Sequence, residues 1–412
     1  MRPRALILIE GARTGNGLLY VQAAERLGLH PITLSADPAQ YDYLAEDGTG
    51  AIRVDTGDLG ALIRECSRLL MTFDIAGIIG FAGLDESVNV TVGRLCRHFG
   101  LPGPSPASIE HCYDKFAQRR LLAQAGVSIP AYRVAANARE VVSAAAEIGL
   151  PVVLKPIVGS GSSGVRLCRD VDEVAEHTSY LLGGTHVWQC SPRILVEEYA
   201  QGPYCIANTM GNEVIGVAAG EFGPPPYFVF RETIFPAPLT DNEYKRIVQD
   251  SLSCLQALSL DWGPANIEFR RTKRGPVVIE VNPRISGAPD PQLIQLACGV
   301  DLITEHVKLA IGEELDLRKS HSQTAAARNL VPDCDGTLDW IEGASRAAAV
   351  PGIIEVKLYV EPKSPIVLKG DYRDWIGHII AASPSAAQTA AILDRAVGLL
   401  DWSITPFPIP VS

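Results

Sequence analysis

The sequence predicts a multi-domain protein of mixed α/β and α+β class. The chain has 412 residues, more than one hydrophobic core ordinarily organises. Over its first hundred residues, short apolar runs alternate with helical periodicity, which indicates a parallel sheet with helices on its faces. Beyond residue 150, apolar strands follow one another closely, which is typical of antiparallel sheets.

The N-terminal segment predicts the first domain. Residues 5–9, 31–35 and 75–81 have the composition of buried strands, and the segments after them have helical spacing. A stretch rich in proline and glycine then interrupts the chain at residues 100–106. We therefore place a domain boundary after residue 104.

Composition limits the functional class. The formal net charge of −11 argues against a nucleic-acid-binding protein. Nine cysteines without a C-x-x-C pair indicate a reducing compartment, so we expect a cytoplasmic location. The apolar run at residues 5–9 stops at Glu10, too early for a signal peptide, and no stretch approaches the length of a membrane span. We expect neither a nucleic acid nor a membrane as partner.

The strongest chemical signal is a predicted β-hairpin at residues 266–282. One face is apolar and predicted to be buried, and it consists of Ile267, Phe269, Ile279 and Val281. The other face is polar, and it consists of Asn266, Glu268, Glu280 and Asn282. If the hairpin folds symmetrically about Arg274, the two glutamates face each other and repel, so a cation between them is expected. Oxygen ligands favour Mg²⁺ over zinc. A solvated polar face is the alternative.

A second signal is the glycine- and serine-rich loop at residues 159–164. It follows an apolar strand, and its small side chains let backbone N–H groups close around phosphate oxygens. Lys155 at the end of that strand adds a positive charge for the same phosphates. A flexible surface loop is the alternative. The loop is not a P-loop, because no Gly-Lys-Ser/Thr sequence ends it.

A third signal is the strand at residues 194–199, which carries Glu197 and Glu198 near its end. A carboxylate or a backbone carbonyl at this point would accept a hydrogen bond from an adenine amino group. Two exposed acidic residues at the end of a strand are the alternative.

Taken in order, these segments resemble the ATP-grasp superfamily over residues 105–310. The order is Lys115 on a helix, Lys155 on a strand, the glycine loop, the Glu–Glu strand, and a hairpin that ends in Asn-Pro-Arg at Arg284. Within the superfamily the chain most resembles the L-amino-acid ligase branch of the carboxylate–amine ligases. The resemblance implies four parts: a parallel α/β domain at 1–104, ATP-grasp subdomains at 105–190 and 191–312, and an α+β portion at 313–412 that packs on them.

The resemblance also implies a role for each matching residue. Arg284 would stabilise the transferring phosphoryl group and the later tetrahedral intermediate. Mg²⁺, or Mn²⁺ in its place, would be held by Glu268, Glu280 and Asn282. ATP would be held by Lys115, Lys155, Ser160, Gly161, Ser162, Ser163, Gly164, Glu197, Glu198, Ala200 and Tyr204. Tyr204 stands where many relatives have a ribose-binding glutamate, so the ribose contact is left to it or to another residue.

The expected substrates are small molecules, a carboxylic acid and an amine. Arg231 would pair with a carboxylate and Glu232 with an amine. Glu86 lies where parallel sheets place ligands, with a helix-start carboxylate as the alternative. After Arg284, backbone donors and small side chains are expected at Ser286, Gly287 and Ala288, and the small side chain of Ala288 would leave room for a bulky substrate. Members of the family commonly dimerise, and the sequence leaves the oligomeric state open.

The resemblance implies ATP-dependent amide formation. A carboxylate, from an amino acid or its N-acyl derivative, would take the γ-phosphoryl group as an acyl-phosphate, and an amine would then displace phosphate. A purine-pathway carboxylate ligase and a non-catalytic nucleotide-binding module are the alternatives, although none of the predicted phosphate and metal residues is missing. An assignment as a dehydrogenase would depend only on residues 10–17 and Asp37. The spacing of the glycines in this segment does not match the dinucleotide-binding fingerprint.

Overall fold

A computed structural model describes residues 2–10, 16–41, 44, 50–81, 87–183 and 193–408. The strands of these residues, in chain order, are β1 (Arg4–Glu10), β2 (His30–Ser35), β3 (Gly50–Arg53), β4 (Asp74–Phe81), β5 (Tyr132–Ala135), β6 (Val152–Pro156), β7 (Arg166–Cys168), β8 (Ile194–Glu198), β9 (Tyr204–Met210), β10 (Glu213–Phe222), β11 (Phe230–Phe235), β12 (Pro264–Thr272), β13 (Gly275–Asn282), β14 (Thr324–Leu330), β15 (Gly336–Glu342), β16 (Ile353–Leu358), β17 (Pro365–Ile366), β18 (Gly377–Ser383) and β19 (Asp401–Thr405).

The α-helices of the same residues lie between these strands. They are Gly17–Arg26, Leu59–Leu69, Ser87–Phe99, Pro106–Tyr113, Lys115–Gln124, Ala138–Ile148, Val171–Leu182, Asp241–Leu258, Asp290–Cys298, Leu302–Ala310, Ala344–Ala348 and Ala386–Val397. Single 3₁₀ turns occur at Pro38–Gln40 and Tyr372–Asp374. No helix in this part of the chain is long and apolar enough to cross a membrane. The described cysteines are free thiols, and all except Cys334 are buried.

The N-terminal sheet is parallel, as predicted. Its strand order is β3-β2-β1-β4, and the three strands predicted at residues 5–9, 31–35 and 75–81 are β1, β2 and β4. Aliphatic side chains such as Ile7 and Ile78 pack against Leu62 and Leu95 of the flanking helices. The mixed α/β fold class is therefore confirmed.

A second, antiparallel sheet of order β5-β8-β6-β7 carries the glycine loop between β6 and β7. β8 bonds to β6 in this sheet, although the predicted boundary at residue 190 assigns β8 to the following subdomain. The domain limits themselves stay a prediction.

The largest sheet joins the central and C-terminal parts of the chain. Its order is β13-β12-β9-β10-β11-β14-β18-β16, and β11 pairs antiparallel with β14. The chain beyond residue 313 therefore extends the central sheet by backbone hydrogen bonds as well as packing on it. This continuity brings C-terminal residues to the same cleft as the predicted hairpin.

Candidate active site

A cleft of about 990 Å³ is lined by residues of three sheets. Ligand pockets commonly measure about 300–1,000 Å³, so this one has room for a nucleotide and further small molecules. Most of the predicted site residues line it: Lys115, Lys155, Ser160, Gly161, Ser162, Ser163, Glu197, Glu198, Ala200, Tyr204, Glu268, Glu280, Arg284, Ser286, Gly287 and Ala288. The fold therefore brings together segments that are far apart in the sequence.

The predicted hairpin is present as β12 and β13. Both predicted cross-strand pairs form, Asn266 with Asn282 and Glu268 with Glu280. A β-bulge after Glu268 then shifts the register by one residue. Val278 consequently takes the core position, and Ile279 lines the cleft. The prediction that Ile279 belongs to the buried face is wrong, because periodicity alone does not reveal a bulge.

The two facing carboxylates make a site that suits a divalent cation. Burial, and then the charge of Glu280, raise the pKa of Glu268 to about 7. The Asn282 amide lies behind the lining of the cleft and donates a hydrogen bond of 3.2 Å to Glu268 Oε1. A cation would relieve the repulsion between the carboxylates, so these oxygen ligands fit Mg²⁺. Elsewhere among the described residues, no three or more His, Cys, Asp or Glu side chains form a metal cluster.

Lys115 reaches the carboxylates because two helices, Pro106–Tyr113 and Lys115–Gln124, meet at Asp114. The Asp114 backbone is extended there, and its side chain caps the second helix by accepting two backbone hydrogen bonds. Lys115 is the first residue of that helix, and its Nζ lies 2.6 Å from Oε1 of Glu280. The same ammonium group donates to the carbonyl of Gly159 in the glycine loop.

Lys155 shares a buried carboxylate with Arg119. Oε2 of Glu197 lies 2.5 Å from Nζ of Lys155, and Oε1 lies 2.6 Å from Nε of Arg119. Burial by itself would raise the pKa of Glu197, but the two cations outweigh it and hold that pKa below its ordinary value. Burial lowers the pKa of Lys155. One carboxylate between two cations leaves surplus positive charge at the cleft, which suits phosphate.

Arg119 was missed by the sequence analysis, and it changes what Glu197 can do. Both Glu197 oxygens are engaged, so a contact of Glu197 with adenine would use its backbone. Arg119 also donates to the carbonyl of Ile279, the extra residue of the bulge. The available signal was spacing: Arg119 follows Lys115 by four residues, which places both on one helix face.

The glycine loop touches both Arg284 and the C-terminal portion. Arg284 donates a hydrogen bond of 3.0 Å to the Ser160 hydroxyl. The Gly161 carbonyl accepts a bond of 3.3 Å from the Tyr372 N–H. Gly161 has a φ of +65°, and a Cβ there would lie 2.5 Å from Cδ1 of Tyr372, so the close approach requires glycine. The loop is thus held against the C-terminal portion.

The rest of the loop is partly buried. Ser162 has a positive φ of 63°, which turns the backbone sharply. The Ser163 hydroxyl is buried and has no hydrogen-bond partner in the described part of the chain. Gly164 lies outside the lining of the cleft, and its carbonyl is 2.9 Å from Nε2 of His177. Of these residues, Ser163 offers a free polar atom to a ligand.

The strand end predicted to bind adenine has partners of its own. Glu198 accepts hydrogen bonds from the Ala131 N–H and from Arg274. Tyr204 is buried and forms a side-chain hydrogen bond with Glu268. Tyr204 therefore lies next to the carboxylate pair, and its role at the ribose, like that of Ala200 at adenine, stays a prediction.

Arg270 is a cleft residue that the sequence analysis missed. Its guanidinium lies 5.3 Å from the ring centre of Tyr204 and 4.9 Å from that of Phe222. Arg270 stands two residues after Glu268 on β12, so both side chains face the cleft. The cation and the two rings form the wall next to the predicted nucleotide contacts.

The segment after Arg284 also lines the cleft. The Ser286 hydroxyl donates a hydrogen bond of 2.6 Å to Oδ1 of Asn208. A Cβ at Gly287 would meet nothing within 4 Å, so there is open space beside this residue. Glu86 and residues 11–15 lie outside the described residues. The substrate roles of Ser286, Gly287 and Ala288 stay predictions.

Arg231 and Glu232 do not line this cleft. They border a separate cavity of about 380 Å³. Arg231 donates to the carbonyl of Val331, and Glu232 pairs with Arg328 at 2.6 Å. A β-bulge at Arg231 interrupts the alternation along β11, so Arg231 and Glu232 both border the separate cavity, whereas Thr233 lines the main cleft. Arg231 and Glu232 therefore lie outside the cleft that the other predicted site residues line, and their pairing with a carboxylate and an amine stays a prediction.

The C-terminal portion contributes a wall of the cleft that the sequence analysis did not foresee. Its lining residues on β14, β16 and β18 include Asn329, Lys357 and His378, which lie in one row across the three strands. Trp375 joins this wall and donates to the Phe230 carbonyl at 3.0 Å. No motif marks these residues, because only the pairing of β11 with β14 brings them to the site.

Comparison with known families supports the two halves of this arrangement. Residues 114–318 match the family described as carbamoyl-phosphate synthase L chain, ATP binding domain. Residues 328–405 match the family described as L-amino acid ligase C-terminal domain 2. The first match covers the glycine loop and the hairpin, and the second covers the C-terminal wall of the cleft.

Individual relatives cover nearly the whole chain. An uncharacterized protein of Sinorhizobium fredii is 60% identical over 404 residues, which are 98% of this chain and 84% of that protein. An L-amino acid ligase structure from Bacillus licheniformis superposes with a TM-score of 0.80 at 20% identity, over 98% of this chain and 100% of that one. A phosphoribosylglycinamide synthetase structure from Anaerococcus prevotii gives a TM-score of 0.72 at 19% identity, over 98% and 100% of the chains. Both structural likenesses concern the fold.

Proposed function

The chain belongs to the carboxylate–amine ligases of the ATP-grasp superfamily, and we propose that it forms a peptide or related amide bond between two amino acids. The carboxylate partner is an amino acid or its N-acyl derivative, and the amine partner is an amino acid. One observation carries the proposal. The cleft that holds Lys115, Lys155 and the facing carboxylates is closed by a C-terminal portion of the L-amino acid ligase type.

ATP with Mg²⁺ is the cofactor of this family. When bound, Mg²⁺ offsets phosphate charge, and Glu268, Glu280 and Asn282 would hold it. Lys115 and Lys155 bind phosphate oxygens at the end of the cleft where the glycine loop lies. These positions follow from the buried ion pairs that keep both ammonium groups in place.

Arg284 acts at the centre of the reaction. The substrate carboxylate and the γ-phosphoryl group are both anionic and repel each other, so catalysis depends on placing cations around them. Arg284 offsets the charge that develops as the acyl-phosphate forms. The glycine loop, which reaches Arg284 through Ser160, excludes water that would hydrolyse this intermediate. The amine then attacks the acyl carbon, and phosphate leaves.

The proposal is tested by measuring phosphate release from ATP and Mg²⁺ over a panel of amino-acid pairs, short peptides and simple acids. Release that requires one particular pair, with their amide and ADP identified by mass spectrometry, would establish the activity. Bicarbonate and formate in the panel test the purine-pathway alternative. ATP binding without turnover in the whole panel, together with an Arg284→Ala variant identical to the parent, would favour a non-catalytic module.

A further inference from the structure

A buried aspartate, Asp290, lies in the cleft. Its side chain lines the cleft, and the residue is 8% exposed. Asp290 begins the helix Asp290–Cys298, and its N–H donates a hydrogen bond of 3.0 Å to the Gly287 carbonyl. This bond closes a turn that places the Asp290 carboxyl beside Ser286–Ala288 and near Arg284, which are the predicted substrate and phosphoryl residues.

The surroundings of Asp290 keep its carboxyl group ready to exchange a proton. Its side chain forms a hydrogen bond with Thr233, which faces the cleft from β11. The charge of Arg284 acts on this carboxyl group, and the carboxyl group in turn acts on the nearby hydroxyl of Tyr204. Burial outweighs the effects of Thr233 and Arg284, and raises the pKa of Asp290 to about 7. A group that titrates near neutral pH suits general acid–base catalysis.

The proposed reaction needs such a group. An amino acid arrives with its amine protonated, and an ammonium nitrogen has no lone pair with which to attack a carbonyl carbon. The reaction must therefore account for the three N–H protons of the ammonium group. One goes to a base before attack, one leaves with phosphate as hydrogen phosphate, and one stays on the amide. The new C–N bond forms as the acyl C–O bond to phosphate breaks, and phosphate takes that electron pair.

We propose that the Asp290 carboxylate binds the ammonium group of the amine substrate and accepts its proton before attack on the acyl-phosphate. This inference rests on the proposed function. It assigns the amine to the part of the cleft that is lined by Asp290, Thr233 and Ser286. It also defines the amine as a protonated primary amine, since a neutral one would need no carboxylate.

The test uses two acceptors in the full-length protein. Asp290→Asn should lower kcat with an amino-acid acceptor by about 10²- to 10⁴-fold, the usual contribution of a general base. Hydroxylamine is largely unprotonated at neutral pH, so hydroxamate formation from the same carboxylate should continue at the rate of the parent. MgADP affinity, measured by calorimetry, should also be unchanged. Asp290→Glu should recover part of the rate with the amino acid.

A matched control is Asp250→Asn. Burial also raises the pKa of Asp250, but Asp250 lies on the helix Asp241–Leu258, outside the lining of the cleft. This variant should keep both activities. In the parent, the rate with the amino acid should fall as the pH drops through about 7, because protonated Asp290 cannot accept a proton.

Three outcomes would overturn the inference. Equal losses with the amino acid and with hydroxylamine would mean that Asp290 only supports the structure of the site. An Asp290→Asn variant as fast as the parent with the amino acid would exclude it as the base. A parent protein that makes no amide with any acceptor would remove the proposed function, and this inference with it.

Discussion

The guanidinium of Arg284 donates a hydrogen bond of 3.0 Å to the hydroxyl of Ser160, which lies 124 positions earlier in the chain. This bond ties the glycine loop to the segment that follows the carboxylate hairpin. A mutation of Arg284 would remove this contact with the loop and, under the proposed function, also the positive charge at the phosphoryl group.

Replacing Arg284 should separate binding from chemistry. Arg284→Ala should lower kcat for ligation by about 10²- to 10³-fold, because a preorganised charge at the reacting group is lost. MgADP affinity should change far less, since Lys115 and Lys155 remain. Steady-state phosphate release and calorimetry measure the two effects. Arg284→Lys should be intermediate, because it keeps the charge and loses the forked geometry. An alanine variant with parental kcat would contradict this role.

The close approach of Gly161 to Tyr372 predicts a specific effect on nucleotide binding. Gly161→Ala places a methyl group 2.5 Å from the Tyr372 ring, so the loop should close less well and the KM for ATP should rise. Gly126→Ala is the matched control, since its φ of +73° carries the same backbone strain and its Cβ would meet nothing within 4 Å. The control should cost about 1–2 kcal/mol of stability and leave the KM unchanged.

A second substitution checks the cause. Combining Gly161→Ala with Tyr372→Ala removes the clash, so the KM for ATP should return toward that of Tyr372→Ala alone. Failure of the double variant to recover would mean that the strained backbone, and not the contact with Tyr372, limits the loop.

Glu268→Gln should have opposite effects on the free and the loaded protein. Because the pKa of Glu268 is higher in the folded than in the unfolded state, protonation of this group stabilises the fold. This contribution is complete below about pH 4.5 and is lost as the pH rises through about 7. The glutamine variant should therefore be as stable as the parent, or more so, at pH 8 without ligand. Its thermal stabilisation by MgADP should be much smaller. Melting curves with MgADP, and with ADP and EDTA, measure this, and an unchanged magnesium-dependent shift would exclude Glu268 as a ligand.

We expect buried His306 to lower the free energy of unfolding in acid. Burial lowers its pKa to about 3, and its Nδ1 lies 2.7 Å from the Tyr20 hydroxyl. Between pH 6.5 and about 3 the unfolded chain binds a proton that the folded state does not. The free energy of unfolding should thus fall by up to about 1.4 kcal/mol per pH unit from this group. Urea denaturation at several pH values measures the free energy of unfolding. In this pH range it should depend less steeply on pH for His306→Gln than for the parent or for the exposed control His98→Gln.

Part of the site could be read from local patterns. Alternation along β12 and β13 was enough to pair Glu268 with Glu280, because the side-chain period of a strand is two and a short turn fixes the register. The bulge that moves Ile279 into the cleft was not readable, since an extra residue leaves the composition of both strands unchanged. A second bulge, at Arg231 on β11, was equally unreadable, and it places Arg231 and Glu232 together at the smaller cavity instead of at the main cleft.

The sequence by itself indicated which groups this protein can use. Residue type and local spacing predicted Lys155, the glycine loop and two facing carboxylates, and the resemblance to a known family added Lys115 and Arg284. Only the tertiary structure decided how those groups are partnered and what closes around them. Arg119 became the partner of Glu197, and Asp290 and the C-terminal wall entered the cleft, through contacts between distant segments. Local periodicity is set within a few residues, whereas burial, ion pairing and the pKa of a buried carboxyl depend on whichever segments the fold packs against it.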